Sequence, residues 1–151
     1  MRIKKIEFAS VKVPLVPLMD ILNQGEKALA SVPKIIVKVH TDDGIVGLGE
    51  SYRGISEESV REASTLLLGR NPLEINFQDL SMPFNLNHLF EQAILDIVGK
   101  IFKSACYELL GGAYRKEVPV SAWAPYYGEK NPEKYLLSLK LPPIEVIKCL
   151  K

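Results

Sequence analysis

A short polar segment, residues 49–54 (GESYRG), brings an acid, a phenol and a guanidinium within four positions of one another. Arginine binds carboxylates through two parallel hydrogen bonds, and loops held by rigid elements are frequent places for binding residues. The segment is therefore a candidate site for an acidic ligand, with Glu50, Tyr52 and Arg53 as binding residues. A solvent-facing ion pair between Glu50 and Arg53 is the alternative that these residue types leave open.

Other residue types that often carry chemistry favour structural roles here. Gly44, Gly47 and Gly49 have a spacing opposite to that of a dinucleotide-binding fingerprint, and they lead into a strand rather than a helix. His40 and His88 have no neighbouring residues at metal-ligand spacing. We therefore expect neither a nucleotide site nor a histidine-based metal site.

The polar segment follows a predicted β-hairpin. Residues 34–41 alternate between apolar and polar side chains, as in a strand with one buried face. Asp42-Asp43-Gly44 predicts a two-residue turn, and residues 44–50 form the returning strand. Gly47 and Gly49 within that strand predict the close approach of another surface.

A further strand precedes this hairpin. Residues 3–13 alternate moderately, so the first three elements predict a three-stranded antiparallel meander. Residues 14–31 show no clear period, and a loop of this length is either a mobile surface segment or a functional lid. The sequence leaves both possibilities open.

Helices follow the meander. Ser56 is a predicted N-cap, and Gly69 ends that helix. Pro72 predicts a second, short helix that reaches Leu80. Apolar residues at three- and four-residue spacing then predict a long helix over residues 86–102.

The long helix is expected to be the centre of a small bundle. Asp96 and Lys100 lie four residues apart on it and predict a helix-stabilising ion pair. One or two further turns over residues 105–110 end at Gly111-Gly112. Residues 118–124 then predict a buried strand, followed by the start of another helix at residues 133–139.

Composition sets the class of protein. The chain has 151 residues, of which 47% are hydrophobic and 25% charged, with a net charge of +1. Such near-neutral charge argues against nucleic acid or an anionic membrane as the partner. No apolar run reaches the roughly 18 residues of a membrane span, and the first residues lack the apolar core of a signal peptide, so we expect a cytoplasmic protein.

Several of these segments together resemble a known family. They are Thr41-Asp42-Asp43-Gly44 with Gly47-x-Gly49-Glu50, Ala93-x-x-Asp96-x-x-Gly99-Lys100, residues 107–112 (YELLGG), Arg115 and Val118-Pro119-Val120. In this order and spacing they resemble the mandelate racemase and muconate lactonizing enzyme group of the enolase superfamily. The resemblance covers about residues 1–125.

The resemblance implies an α+β fold and two domains. Residues 1–113 would be the N-terminal capping domain, with the meander followed by a small helical bundle. Residues 114–151 would begin a β/α barrel that is truncated here. The implied activity is magnesium-dependent abstraction of the proton α to a carboxylate, and the implied substrate is a small carboxylate or sugar acid.

The resemblance also bears on the site. It implies that the loop containing Glu50, Tyr52 and Arg53 helps to enclose the substrate. Residues 121–127 faintly resemble the first barrel strand of glucarate-type dehydratases, in which aromatic side chains line the sugar pocket. Trp123 and Tyr126 are therefore candidate substrate-binding residues, with an aromatic core plug as the alternative.

The chain also departs from the family pattern. Lys103 and Ala105 stand near positions where the family usually has Gly and Pro, so we expect a reshaped junction after the long helix. The family's lysine base and three carboxylate ligands of magnesium have no counterpart, and Lys148 and Lys151 have the wrong spacing to share a strand face. We accordingly assign no catalytic residue and no metal ligand.

These departures give two hypotheses. The first is the N-terminal part of a sugar-acid dehydratase or racemase, inactive alone, with no magnesium bound. The alternative is a non-catalytic remnant that acts as an oligomerisation or binding module. In either case we expect a homo-oligomer, because an unpaired strand at residues 118–124 favours association.

Overall fold

The structure is a computed structural model that describes residues 1–14 and 31–119. Its elements are β1 (Ile3–Pro14), β2 (Ser31–Thr41), β3 (Val46–Glu50), α1 (Glu57–Thr65), two 3-10 turns (Pro72–Glu74 and Phe77–Asp79), α2 (Phe84–Phe102) and α3 (Cys106–Leu109). The three strands form one antiparallel sheet in the order β1-β2-β3. The predicted α+β fold, with a meander followed by helices, is confirmed.

The chain divides into two compact units. One unit comprises residues 1–13 and 33–112, and the other comprises residues 14–32 and 113–151. The second unit contributes few described residues, so the fold and the site given below are those of the first unit. The predicted strand beyond Pro119, the helix at 133–139 and most of the 14–31 loop lie outside the described residues.

The hairpin of β2 and β3 has the predicted faces. Val37 and Val39 are fully buried, whereas Lys38 between them is exposed. The prediction of a two-residue turn is wrong, because the Thr41 N–H donates to the Ile45 carbonyl at 2.9 Å and leaves three residues between them. Gly44 takes a φ of +84° in this turn, which a residue without a Cβ adopts most easily.

Helix α2 packs along β3 at unusually short range. A Cβ added to Gly47 would lie 2.0 Å from the Ala93 carbonyl oxygen, and one added to Gly49 would lie 2.1 Å from that of Leu89. The predicted close approach at these two glycines is therefore confirmed. The core lies between the sheet and this helix, and its largest fully buried side chains include Val37, Val39, Val60, Leu67, Leu89, Phe90 and Ile97.

Side chains of α2 also cover the free edge of β3. The Lys100 ammonium donates to the Val46 carbonyl at 2.6 Å, and the Asp96 carboxylate accepts the Leu48 N–H at 2.9 Å. Gln92 accepts the Glu50 N–H at 3.2 Å and donates to its carbonyl at 3.3 Å.

These contacts can repeat along α2 and β3 because the two elements have nearly the same rise over the contact spacing. Four helical residues rise about 6 Å and two strand residues about 7 Å. The predicted ion pair between Asp96 and Lys100 is confirmed at 2.7 Å, and both residues also bind the strand backbone. We call these contacts of Gln92, Asp96 and Lys100 the edge clamp.

Capping residues set where the shorter helical segments begin. The Ser56 hydroxyl oxygen accepts the Ser59 N–H at 3.1 Å, which confirms the predicted N-cap of α1. The predicted helix over residues 72–80 is wrong, since two separate 3-10 turns occupy that stretch. Asn71 and Asn76 each cap one turn, and the second asparagine interrupts a continuous helix through its local hydrogen bond.

The junction after α2 keeps the backbone geometry that Gly and Pro favour. Lys103 has φ +53° and ψ +38°, the left-handed conformation that glycine commonly takes after a helix. Ala105 has φ −71°, which is close to the fixed value of proline. The reshaped junction stays a prediction, and at Lys103 and Ala105 this chain has backbone dihedrals that Gly and Pro also adopt.

Candidate functional site

A polar cleft of about 260 Å³ lies where β3 ends. Its lining residues are Lys34, Glu50, Ser51, Tyr52, His88 and Gln92. Two predicted binding residues, Glu50 and Tyr52, therefore share one cleft, whereas Arg53 is exposed beside them and does not line it. Trp123 and Tyr126 lie outside the described residues.

The carboxylate of Glu50 pairs with a lysine on the neighbouring strand. Its Oε1 lies 2.7 Å from the ammonium of Lys34, which also donates to the Ser51 carbonyl at 3.0 Å. The alternative of an ion pair between Glu50 and Arg53 is therefore wrong. Lys34 joins the start of β2 to the first residue of the loop that follows β3.

Ser51 fixes the start of the loop. Its N–H donates to the Ile35 carbonyl at 2.9 Å, and its hydroxyl accepts the Ile35 N–H at 2.8 Å. The side chain of Ser51 is buried and has its partner, so burial carries no penalty for an unsatisfied hydroxyl. The hairpin pairing thus extends past the last residue of β3, and the loop leaves the sheet from a defined point.

Tyr52 lies against a histidine of the long helix. The ring centroids of Tyr52 and His88 are 5.2 Å apart, and the planes are tilted by 36°. About half of the Tyr52 side chain remains exposed, at 52%. An amphipathic ring in this position presents both an apolar face and a hydroxyl to a bound molecule.

Sequence reasoning missed Lys34, His88 and Gln92 as members of the site. His88 and Gln92 could have been found from the helical period of α2. Residues 88, 92, 96 and 100 follow one another at four-residue intervals and therefore lie on the same face. For Lys34 the signal was the hairpin register, which pairs Ile36 with Glu50. Continued by two residues, this register places Lys34 opposite Tyr52.

The cleft suits the binding of a small polar molecule. It offers hydroxyl, imidazole and carboxylate groups on a hydrogen-bonded frame. Among residues 1–14 and 31–119, no group of three or more His, Cys, Asp or Glu side chains is placed to hold a metal ion. The described residues therefore do not fit magnesium, and no metal-dependent step is derived from them.

No family model matches the chain. A D-xylonate dehydratase of Haloferax volcanii is 34% identical over 115 residues, which cover 67% of this chain and 28% of the dehydratase. An N-succinyl-L-Arg/Lys racemase of Bacillus cereus is 30% identical over 140 residues, covering 80% of this chain and 36% of the racemase. The chain belongs to the enolase superfamily.

Solved structures agree with this assignment. The crystal structure of the Bacillus cereus racemase has a TM-score of 0.64 and 28% identity, and covers 80% of this enolase-superfamily chain and 36% of the racemase chain. An enolase of Thermobispora bispora, complexed with magnesium and formate, has a TM-score of 0.67 and 25% identity. That match covers 91% of this chain and 41% of the enolase chain.

The family resemblance given by the sequence motifs is thus confirmed, including the sugar-acid dehydratase branch. The chain spans about a third of the length of the curated relatives that it matches. In the described ranges, none of the helices has both the length and the apolar character that crossing a bilayer requires.

Proposed function

We propose that this chain is the N-terminal part of a magnesium-dependent enolase-superfamily enzyme that removes the proton α to the carboxylate of a small acid. The observation that carries the proposal is the similarity of this chain, over 115 to 140 residues, to sugar-acid dehydratases and to an N-succinyl-L-Arg/Lys racemase. Dehydration of a sugar acid is the preferred outcome. Residues 1–113 form the capping domain, and residues 114–151 begin the barrel.

The proposed role of the described residues is substrate recognition. A proton α to a carboxylate is weakly acidic, so its removal needs a positioned base and stabilisation of the developing negative charge. Three of the described acids are engaged elsewhere, since Glu50 pairs with Lys34, Asp96 with Lys100, and Glu108 with Ser104. No catalytic residue is therefore assigned to this part of the chain.

Recognition is assigned to the loop after β3 and to the aromatic residues beyond the described range. Arg53 receives the substrate carboxylate, and the cleft of Glu50 and Tyr52 receives the adjacent hydroxyl groups. Trp123 and Tyr126 line the sugar-binding side. The complete enzyme is cytoplasmic and homo-oligomeric in this proposal.

The decisive experiment is to isolate the native polypeptide from its source cells with antibodies against residues 31–112. Its intact mass is measured, and it is assayed on D-xylonate, D-galactonate and N-succinyl amino acids with magnesium and with a chelator. We expect a polypeptide longer than 151 residues whose turnover requires magnesium. A 151-residue product without turnover, isolated in a stable complex, would instead support the alternative of a non-catalytic oligomerisation or binding module.

A further inference from the structure

Two cations and one carboxylate bear on the loop after β3, namely Lys34 on β2, Glu50 at the end of β3 and Arg53 in the loop itself. Glu50 is engaged by Lys34, whose side chain is only 23% exposed and is held a second time by the Ser51 carbonyl. In the part of the chain that the structure describes, Arg53 has no ion pair. The positive charge of this loop is thus presented by the guanidinium of Arg53.

Glu50 is the natural competitor of any acidic ligand for that guanidinium. The two residues are three positions apart, so their Cα atoms lie no more than about 11 Å from each other. Two long flexible side chains span such a gap, and arginine binds carboxylates through a two-pronged hydrogen-bonded pair. A Glu50 carboxylate released from Lys34 would therefore neutralise Arg53 from within the same loop.

We propose that Lys34 is a positioning residue that keeps Glu50 away from Arg53, so that Arg53 stays available to the carboxylate of the ligand. The inference rests on the proposed function. It adds a physical reason why the loop would select an acidic ligand. The loop binds an anionic, hydroxylated molecule in preference to the neutral polyol of the same shape, because Lys34 cancels the charge of Glu50 and leaves that of Arg53.

The first test needs no ligand. In the 151-residue chain, NMR measures the solvent exchange of the Arg53 Nε–H. Lys34→Met should slow this exchange, because Glu50 captures the guanidinium, and the double variant Lys34→Met/Glu50→Gln should restore it. Lys38→Met is the matched control, since Lys38 is exposed on the same strand four residues away, and it should leave the exchange unchanged. Unchanged exchange in Lys34→Met overturns the proposal.

The second test is a titration with D-xylonate, with xylitol as the neutral counterpart. Lys34→Met should raise the dissociation constant of D-xylonate about threefold to fivefold, as expected for loss of an exposed ion-pair partner. Lys34→Met/Glu50→Gln should bind D-xylonate more tightly than Lys34→Met does, which a merely structural loss of the Lys34 anchor would not produce. Weakening by the double variant equal to that of Lys34→Met overturns the proposal.

Two further variants separate this inference from the proposed function, and both are read by the ligand-free exchange of the Arg53 Nε–H. Lys34→Arg keeps a cation beside Glu50, and Glu50→Gln removes the competing carboxylate, so neither variant should slow this exchange. Slower exchange in Glu50→Gln contradicts the inference. If wild type shows no response to D-xylonate while Lys34→Met still slows Arg53 exchange, the charge separation stands. In that case the recognition role given to this loop under the proposed function fails.

Discussion

At the scale of single residues, Lys103 is the clearest strained position. It is the only non-glycine residue with positive φ in the described ranges, and the left-handed conformation costs an L-residue about 1–2 kcal/mol. The Ser104 N–H still completes the helix end by donating to the Gly99 carbonyl at 2.9 Å. The hydrogen bond that ends α2 therefore forms even though Lys103, and not glycine, takes the left-handed conformation.

We predict that Lys103→Gly raises the free energy of unfolding by about 1 kcal/mol, because glycine adopts this conformation without strain. Urea denaturation followed by circular dichroism measures the change. Lys103→Ala removes the same side chain but keeps the Cβ, so it should leave stability nearly unchanged. Equal stabilisation by both variants would show that charge, and not backbone strain, is responsible.

Gly47 gives a residue-scale prediction of opposite sign. Gly47→Ala places a Cβ against the Ala93 carbonyl, so helix and strand must separate, and we expect a loss of about 3 kcal/mol. Gly54→Ala is the matched control, because a Cβ there meets no atom within 4 Å and only the φ of +79° is unfavourable, at about 1 kcal/mol. Comparable losses in thermal unfolding would contradict the packing argument.

At the scale of elements, the edge clamp lies along the edge of β3 that pairs with no other strand of the described residues. An open strand edge is a site for unwanted pairing with other chains. Asp96→Ala leaves the Leu48 N–H without its acceptor and Lys100 without its carboxylate partner, and we expect a loss of about 1 kcal/mol.

Amide hydrogen exchange of Leu48 should accelerate in this variant, while that of residues in α1 should not. Glu91→Ala changes an exposed acid on the same helix and should leave Leu48 protected. Unaltered exchange at Leu48 in Asp96→Ala would show that the clamp does not secure the edge.

The sequence predicted elements better than it predicted their contacts. Periodicity was sufficient for the three strands and for α2, since burial dictates it directly, and the glycines indicated where α2 meets β3. Glu50 and Tyr52 were found because they follow a recognisable hairpin. Lys34 and His88 were missed because their place in the site depends on register across the sheet and on the phase of a helix more than thirty residues away.

At the scale of the whole molecule, three carboxylates have lowered pKa values, and two of them, Glu7 and Asp42, bind residues more than thirty positions away in the sequence. Hydrogen bonds from Lys5 and then His40 hold the pKa of Glu7 below its ordinary value of 4.5. The Arg2 N–H lowers the pKa of Asp42 from 3.8, and the Ser104 hydroxyl and then the Ala105 N–H lower that of Glu108 from 4.5.

A pKa that is lower in the folded state stabilises the fold fully above the unfolded value, and the contribution is lost as the pH falls through the folded value. We therefore predict that the melting temperature declines as the pH drops below about 4.5, and that Glu7→Gln/Asp42→Asn/Glu108→Gln declines less steeply. A control that changes Glu58, Glu62 and Glu91 to Gln removes three exposed acids and should keep the wild-type slope. Identical slopes in both triple variants would refute this explanation.

The placement of the acids also predicts the behaviour of the 151-residue chain alone. Magnesium requires oxygen ligands gathered in near-octahedral geometry, whereas Glu50, Asp96 and Glu108 are bound to separate partners on separate elements. We expect no saturable micromolar magnesium binding in calorimetry and no turnover of a panel of sugar acids. Magnesium-dependent turnover that is abolished by changing Lys148 or Lys151 would place the chemistry within this chain.

The clamp between α2 and β3 has a consequence for how such a chain tolerates insertions and deletions. Removing one residue from α2 rotates the rest of the helix by about 100° and takes every later contact off the strand. Adding one residue to β3 turns its side chains to the opposite face. Between β3 and α2, we therefore expect insertions and deletions to be tolerated only within residues 52–83, outside the two clamped elements. The loop proposed to select the ligand can therefore differ in length between related proteins, whereas β3 and α2, which position that loop, keep the same number of residues.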